Sequence, residues 1–337
     1  MRLGTPARYH AFMSFFSLLF ALIVEQVRPF SGVGRLRTWG ASWVDWVVEH
    51  FDSGDSGQGV ACWAIAALVP AGLVIAIHWA LALWVGWFSA FLWNVLVLYA
   101  TLGFRQFSHF FTEIRKALDA GDEDAARSWL ESWTGRLPAD LSRAELIRRV
   151  VVQSVLSAHR HVFGVFTWYS IGSLLGLGPA GAVVYRLGAY VHARAAAVTD
   201  TGLHASSAVQ QLAGKMWWLL DWLPVRMTAM GFAFVGSFED SIDLWRRREM
   251  RDPGDNDALL IAATAGAIGI QLEEPMGLVE SPMPSDPSEV EAASDAAAST
   301  QKPPQIGHLA AVVGLVWRTV VMWLVLLALM TLARLLG

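Results

Sequence analysis

The chain has 337 residues, of which 55% are hydrophobic and 16% are charged, and its formal net charge is -4. The apolar residues gather in runs long enough to cross a bilayer, which predicts an integral membrane protein. The small net charge, with basic residues spread among loops, excludes an extended basic surface for nucleic acid. The single cysteine, Cys62, excludes a disulfide framework and a thiolate cluster for zinc or iron–sulfur, and we expect neither a metal nor a cofactor.

The N-terminal part of the chain holds three predicted spans. Residues 9–27 follow Arg2 and Arg8 and are not followed by a small-residue cleavage site, so we predict an uncleaved first span. Residues 60–104 contain no Lys, Arg, Asp or Glu, and this run is about twice as long as one spanning helix needs. It therefore predicts a hairpin of two spans with its turn near residues 78–86.

Three further spans are predicted at residues 162–184, 216–238 and 308–332. The second of these carries an acid, a proline and a base, so we expect that it does not face lipid throughout. Residues 258–272 are apolar but too short to span, which is typical of a re-entrant or interfacial helix.

Two polar segments interrupt the spans. Residues 105–161 place apolar side chains at helical spacing and are broken at Gly121 and Pro138, which predicts a small helical domain at the membrane surface. Residues 273–305 are rich in Pro, Ser, Ala and Glu and contain no aromatic residue, so they bury too little surface to offset the entropy of ordering. We predict that they form a disordered linker.

Together these elements predict an all-α, polytopic integral membrane protein of about six spans with a small cytoplasmic helical domain. The predicted division is three N-terminal spans with a polar loop at 28–59 (1–104), the surface domain (105–161), the core spans and the short helix (162–272), the linker (273–305) and the last span (306–337). The loops at 28–59, 105–161 and 239–305 hold most of the Lys and Arg, which predicts that they are cytoplasmic and that the chain lies in the inner membrane. The lipid bilayer is therefore its first expected partner.

One glycine motif matches a nucleotide-binding pattern as a string. Gly176, Gly178 and Gly181 have the spacing of the dinucleotide fingerprint, but no soluble strand precedes them and no acidic residue follows on a second strand. The motif instead favours close helix packing, or a break of the fourth span at Pro179. No phosphate-binding Gly-Lys-Ser/Thr loop and no Gly-x-Ser-x-Gly elbow occurs, so ATP hydrolysis and serine acyl transfer have no sequence support.

Charged residues inside apolar segments are the first candidates for a site. Asp221 and Arg226 must be paired, hydrated or functional, and two interpretations stay open: a salt bridge that locks a proline kink, or a ligand-facing pair. Glu25 lies near the end of the first span, where it either pairs with Arg28 or faces a ligand.

Histidines and arginines at the ends of spans are the second group of candidates. His159 and His161 enter the fourth span, where they bind phosphate or a metal, or form a polar cap at the interface. Arg246 and Arg247 belong to a basic cluster that anchors the chain to acidic lipid headgroups or binds phosphate.

Several segments resemble a known family of membrane proteins. LLDWLPVRMTAMGFAFVG at 219–236, and the first span with Glu25, resemble AmpE, an inner-membrane protein linked to β-lactamase regulation, which is itself similar to the CobD/CbiB family. ALDAGDEDAARSWLESWTGR at 117–136, GPAGAVVYR at 178–186 and AGAIGIQL at 265–272 resemble CobD/CbiB in the same order. In that family, the membrane enzyme joins adenosylcobyric acid to an aminopropanol or ethanolamine unit, often phosphorylated, by an amide bond in cobalamin synthesis.

The chain also departs from the family pattern at three places. The Gly-Asp-Pro and His-Pro-Val signatures expected after the first span are absent, and residues 28–30 stand in their neighbourhood. Residues 157–161 replace Glu-Asn…Asp-Gly, and residues 187–192 replace Asn-Thr-x-Asp. Amide synthesis needs groups that position phosphate or metal and manage a proton, and the family would hold them at such acidic positions. Their joint loss argues that the scaffold was kept without the synthase chemistry.

The leading hypothesis is therefore a regulatory or accessory member of the family with degenerate synthase motifs. The alternative is the amide synthase itself, in which Asp221, Arg226 and the arginines near Arg246 hold a phosphorylated substrate. A transporter is a weaker alternative, because the spans carry few polar residues. A phosphorylated or corrinoid small molecule, and a membrane protein that contacts residues 105–161, are the expected partners.

Overall fold

A computed structural model describes residues 6–27, 33–52, 54, 56–135, 137–138, 141–196, 205–272 and 302–336. These residues form α1 (Pro6–Val27), α2 (Val33–Phe51), α3 (Ser56–Trp84), α4 (Trp87–Thr101), α5 (Phe104–Asp119), α6 (Glu123–Thr134), α7 (Arg143–Ala158), a π-helical turn (His159–Phe163), α8 (Gly164–Leu174), α9 (Ala180–Ala196), α10 (Ser207–Val235), α11 (Phe238–Arg251), α12 (Asn256–Ile268) and α13 (Ile306–Leu336). Within this described part, β pairing is limited to an isolated bridge between Ile270 and Lys302. The expected all-α class is confirmed.

The chain divides into two compact units. Unit 1 comprises Met1–His109, Ser157–Thr228 and Val320–Gly337, and unit 2 comprises Phe110–Leu156 and Ala229–Thr319. Each unit is assembled from segments that are distant in the sequence.

In unit 1, α3 and α4 form the hairpin that the uncharged run predicts. The turn lies at Val85 and Gly86, and both amides donate to the carbonyl of Leu81 at 3.0 and 2.9 Å. Gly86 has a φ of 118°, a conformation that favours glycine. The hydroxyl of Ser89 donates to the Gly86 carbonyl at 2.7 Å and so satisfies a main-chain acceptor in the turn. In the same unit α3 also packs against α9 and α2, and α1 packs against α4 and α8.

The predicted single span at residues 162–184 is instead two packed helices, α8 and α9. Gly176 and Gly178 have φ angles of 75° and 57°, which end α8, and Pro179 cannot supply a main-chain donor to continue it. A Cβ on Gly181 would lie 2.1 Å from the carbonyl oxygen of Trp168, so only glycine permits this close approach of α9 to α8. The glycine motif therefore serves both predicted purposes, the break and the close packing.

Within the described part of the chain, two helical segments are long and apolar enough to cross a membrane: Gly57–Trp84 in α3 and Ile306–Ala333 in α13. Only 28% and 33% of their most apolar stretches are buried, whereas the core helix of a soluble protein is mostly buried. The apolar segments Phe15–Glu25, Trp87–Thr101 and Asn256–Ile268 are shorter. The structure thus provides two candidate spans, and the count of six stays a prediction.

Unit 2 is built on amphipathic helices and one close helix pair. Phe111, Ile114 and Leu118 on α5 are buried, in agreement with the helical spacing of the sequence. In the pair formed by α11 and α12, a Cβ on Gly266 would lie 2.5 Å from the main chain of Ser241, so this crossing also requires glycine.

The end of α12 is fixed by two segments of the same unit. Arg148 on α7 donates to the carbonyl of Leu272 at 2.9 Å, and the amide of Gln271 donates to the carbonyl of Lys302 at 3.0 Å. Most of the predicted linker, residues 273–301, and the position of Arg28 lie outside the described residues.

Candidate functional site

Four buried polar residues in unit 1 form one hydrogen-bonded group, the Asp221 cluster: Asp221, His159, Tyr185 and Thr228. Asp221 Oδ1 lies 2.9 Å from His159 Nε2 and accepts a hydrogen bond from the hydroxyl of Tyr185 at 2.7 Å. His159 Nδ1 lies 2.9 Å from Thr228 Oγ1. None of the four has measurable exposure to solvent. Buried polar groups in such a chain must be mutually satisfied, as these largely are.

Local backbone features position the histidine and the tyrosine. His159 begins the π-helical turn, a rare irregularity that is frequent at functional sites. Gly164 follows that turn, and a Cβ there would lie 2.2 Å from the hydroxyl oxygen of Tyr185. The absence of a side chain at Gly164 is therefore what allows the Tyr185 ring to reach Asp221.

Proline in α10 leaves a carbonyl that another helix satisfies. Pro224 has no N–H, so the carbonyl of Leu220, one turn earlier, lacks its helical donor. The indole N–H of Trp168 on α8 donates to this carbonyl at 2.8 Å. The interaction fixes α8 against the turn of α10 that carries Asp221.

The hydrogen bonds of the Asp221 cluster allow two arrangements of its protons. Thr228 Oγ1 also lies 2.8 Å from the carbonyl of Pro224, and its single proton can be donated either there or to His159 Nδ1. In the first arrangement His159 donates from both nitrogens, and in the second it is neutral and donates only to Asp221. In both arrangements the carboxylate of Asp221 accepts a hydrogen bond from His159 Nε2.

One oxygen of the cluster has no hydrogen-bond partner among the described residues. Asp221 Oδ2 is buried, whereas Oδ1 accepts from both His159 and Tyr185. An unsatisfied carboxylate oxygen in the interior is costly and is a ready acceptor for an N–H or O–H group.

The structure brings together two of the predicted site residues, Asp221 and His159. The interpretation of His159 as an interfacial cap is wrong, because its side chain is fully buried against Asp221. Arg226 does not pair with Asp221: its guanidinium lies 4.2 Å from the ring centroid of Trp222 and donates to the Trp222 carbonyl at 3.2 Å. The salt-bridge interpretation of Asp221 and Arg226 is therefore also wrong.

The other candidates are not among the four residues of the cluster. Glu25 is buried on α1, and His161 Nδ1 lies 2.9 Å from the carbonyl of Ser157. Arg246 and Arg247 belong to α11 in unit 2, where Arg247 pairs with Asp243 at 2.8 Å and both arginines are exposed.

Sequence analysis missed Tyr185 and Thr228. Tyr185 stands within GPAGAVVYR, beside an arginine in an apolar helix, and the rule that buried polar groups need partners could have marked it. Thr228 carried no signal, because a threonine in an apolar helix commonly bonds its own main chain.

An apolar cavity also lies within unit 1. Its volume is about 230 Å³, and its lining includes Thr167, Ser173, Leu223, Met227 and Trp323. Pockets for drug-sized ligands are about 300–1,000 Å³, so this cavity is too small for a corrinoid ring.

Most of the chain matches the model of one protein family. A family model described as CobD/Cbib protein matches residues 14–301, which contain the whole Asp221 cluster. The chain belongs to the CobD/CbiB family. The further likeness to AmpE stays a prediction.

Two relatives of this CobD/CbiB-family chain are both named cobalamin biosynthesis protein CobD. The protein of Chromobacterium violaceum is 26% identical over 273 residues, which cover 80% of this chain and 77% of the relative. The protein of Stutzerimonas stutzeri is 28% identical over 268 residues, which cover 76% of this chain and 79% of the relative. No solved structure matches. Together with the two apolar helices, the family indicates a membrane protein, while the multi-pass inner-membrane topology stays a prediction.

Proposed function

We propose that this chain acts in cobalamin biosynthesis as an amide-forming synthase that joins adenosylcobyric acid to an aminopropanol unit, free or phosphorylated. The observation that carries the proposal is the hydrogen bond of 2.7 Å between Tyr185 and Asp221. Tyr185 belongs to GPAGAVVYR, which resembles CobD/CbiB, and Asp221 to DWLPVR, which resembles the related AmpE. Family-like segments that are distant in sequence thus meet at one polar group, and both named relatives are cobalamin biosynthesis proteins.

His159 is the group that manages the proton in this proposal. The carboxyl group enters as an activated ester or anhydride, and the amine nitrogen displaces the activating group from the carboxyl carbon. The amine loses a proton in this step, and an imidazole oriented by a carboxylate is suited to accept it. His159 lies in the segment 157–161, where the family pattern has acidic residues. The histidine supplies a proton acceptor there, and Asp221 Oδ2 is available to the substrate amine. Because the cluster is closed, substrates reach it only after a local opening.

A regulatory or accessory role is the second candidate. The observation that favours it is the complete burial of Asp221, His159 and Tyr185, which lets the cluster hold helices together without any contact with substrate. The replaced signatures at 28–30 and 187–192 point in the same direction.

Genetic complementation separates the two candidates. The full chain is expressed in a strain that lacks its cobinamide-forming synthase, and growth is scored under conditions that require cobyric acid to be converted to cobalamin. We expect the wild type to restore growth and Asp221→Asn to fail at an equal level in the membrane. Asp119→Asn removes a half-exposed carboxylate that lies 3.6 Å from Arg115, and it serves as the matched control that still restores growth. Failure of a well-expressed, membrane-inserted wild type would favour the accessory role.

A further inference from the structure

Arg186 on α9 is a buried cation without an acidic partner among the described residues. Its side chain is 7% exposed. Its guanidinium donates at 3.4 Å to the carbonyl of Arg160 and at 3.4 Å to the hydroxyl of Tyr190, and it lies 5.2 Å from the centroid of the Tyr190 ring. An arginine stays charged inside a protein, and a buried charge that meets only long, neutral contacts is unfavourable unless an anion joins it.

Two carboxylates of unit 1 have other described partners. Asp221 is bound by His159 and Tyr185, and Asp45 forms a close ion pair with Arg194, two turns beyond Arg186 on α9. The described hydrogen bonds of Arg186 thus include no carboxylate.

A second arginine, Arg160, contributes its main chain to the surroundings of Arg186. The guanidinium of Arg160, in the π-helical turn, lies 5.9 Å from the centroid of the Trp217 ring, and the carbonyl of Arg160 contacts Arg186. His192 stacks on Trp217 with 5.8 Å between the ring centroids. Aromatic faces therefore orient both guanidinium groups, which lowers the entropy lost when they bind a ligand.

We infer that Arg186 and Arg160 form a binding site for a phosphate group. Planar guanidinium groups donate paired hydrogen bonds to phosphate oxygens, and two of them held on aromatic rings match a doubly charged oxyanion. The phosphate belongs either to a soluble small molecule or to a lipid headgroup, since both present the same oxygens. For a soluble phosphate compound the inference rests on the proposed function, in which the amine substrate can be phosphorylated. For a lipid headgroup it goes beyond that function, because such a site does not require amide formation.

Thermal unfolding of the purified full chain in a neutral detergent tests this site. Inorganic phosphate is titrated at constant ionic strength, with chloride as the compensating anion. Binding to the folded state raises the Tm in proportion to the logarithm of phosphate concentration above Kd. We expect Arg186→Gln and Arg160→Gln each to raise the Kd for phosphate by about ten- to hundredfold, the range for loss of charge-assisted hydrogen bonds. Arg115→Gln, at a half-exposed arginine 3.6 Å from Asp119, is the matched control with an unchanged Kd.

Two results overturn the inference: no phosphate-dependent rise in the wild type, or a Kd in Arg186→Gln equal to that of the wild type. If Arg186→Gln does not fold, the Kd of Arg160→Gln is the test. An unchanged Kd for phosphate in that variant also overturns the inference. Because binding is measured without turnover, its outcome is independent of complementation.

Lipid nanodiscs then identify the source of the phosphate. If phosphatidylglycerol in place of phosphatidylcholine raises the Tm of the wild type but not of Arg186→Gln, and weakens the response to inorganic phosphate, the ligand is a lipid headgroup. If the response to inorganic phosphate is the same in both lipids, the ligand is a soluble phosphate compound. Either result supports the site.

Discussion

The indole of Trp168 bonds the main-chain carbonyl of Leu220 at 2.8 Å, in the turn where Pro224 removes the helical donor. One side chain of α8 thus satisfies a carbonyl of α10 that lacks its helical donor. Leu220 directly precedes Asp221, so the hydrogen bond that satisfies the carbonyl of Leu220 also holds the carboxylate in place.

Replacement of Trp168 by Phe is expected to lower the free energy of unfolding by about 1–3 kcal/mol, because the carbonyl of Leu220 is left buried without a donor. Pro224→Ala supplies an N–H to that carbonyl, so the double variant should lose less than the sum of the two single variants. Denaturant unfolding in detergent measures this. Trp84→Phe, at a ring that is 85% exposed, is the matched control with an effect near zero. Additive losses in the free energy of unfolding for the Trp168 and Pro224 variants would show that the two residues do not act on the same carbonyl.

Asp221 should be energetically coupled to His159 and uncoupled from Arg226. Removal of one partner leaves the other buried and unpaired, so Asp221→Ala and His159→Ala are each destabilising, and their coupling energy should reach about 0.5–3 kcal/mol. Arg226 contacts Trp222 instead, so Asp221→Ala and Arg226→Ala should add within about 0.5 kcal/mol. Two double-mutant cycles by thermal unfolding in detergent provide the comparison. Coupling in the Arg226 cycle alone would refute the described contacts.

Gly164 is expected to tolerate no side chain. A Cβ there would lie 2.2 Å from the hydroxyl oxygen of Tyr185, so Gly164→Ala must displace the ring from Asp221 or move α8. Such overpacking costs about 1–3 kcal/mol, and on the proposed function it also abolishes growth in the complementation assay. Gly214→Ala in α10 is the control, because no atom lies within 4 Å of its new Cβ, and a helical alanine there is neutral or stabilising by about 0.5–1 kcal/mol. A stable, active Gly164→Ala variant would show that the Tyr185 contact is not required.

The hairpin of α3 and α4 was predictable, because an uncharged run of about twice the spanning length has few other solutions. The partner of Asp221 was not. Arg226 is close in sequence, yet five residues turn a helix by about 140° beyond one full turn, so the two side chains leave α10 on different faces.

The true partner of Asp221, His159, lies 62 residues away in the sequence, a contact that only tertiary packing creates. Likewise, the glycine motif predicted a break or close packing near Pro179, but not that α8 and α9 would replace a single span. Local periodicity sets the helices, whereas the pairing of buried polar groups depends on which helices meet.

Acid should weaken unit 2 through Glu145. Hydrogen bonds from Arg148 at 2.6 and 2.7 Å, together with the charges of Arg148 and Arg149, hold the pKa of the Glu145 carboxyl below its ordinary value, although partial burial opposes this shift. Because the folded pKa is lowered, the stabilisation is fully present above the unfolded pKa of about 4.3 and is lost as the pH falls through the folded pKa. The groups are partly exposed, so we expect a contribution of less than about 1 kcal/mol to the free energy of unfolding.

Arg148 also bonds the carbonyl of Leu272, so protonation of Glu145 is expected to weaken the hydrogen bonding of the segment that follows α12. Thermal unfolding between about pH 5 and pH 3 should therefore show a shallower loss of Tm in Glu145→Gln than in the wild type. Glu123→Gln, at a half-exposed carboxylate 2.9 Å from Arg143, should keep the wild-type slope, and an equal slope in Glu145→Gln would place the acid sensitivity elsewhere.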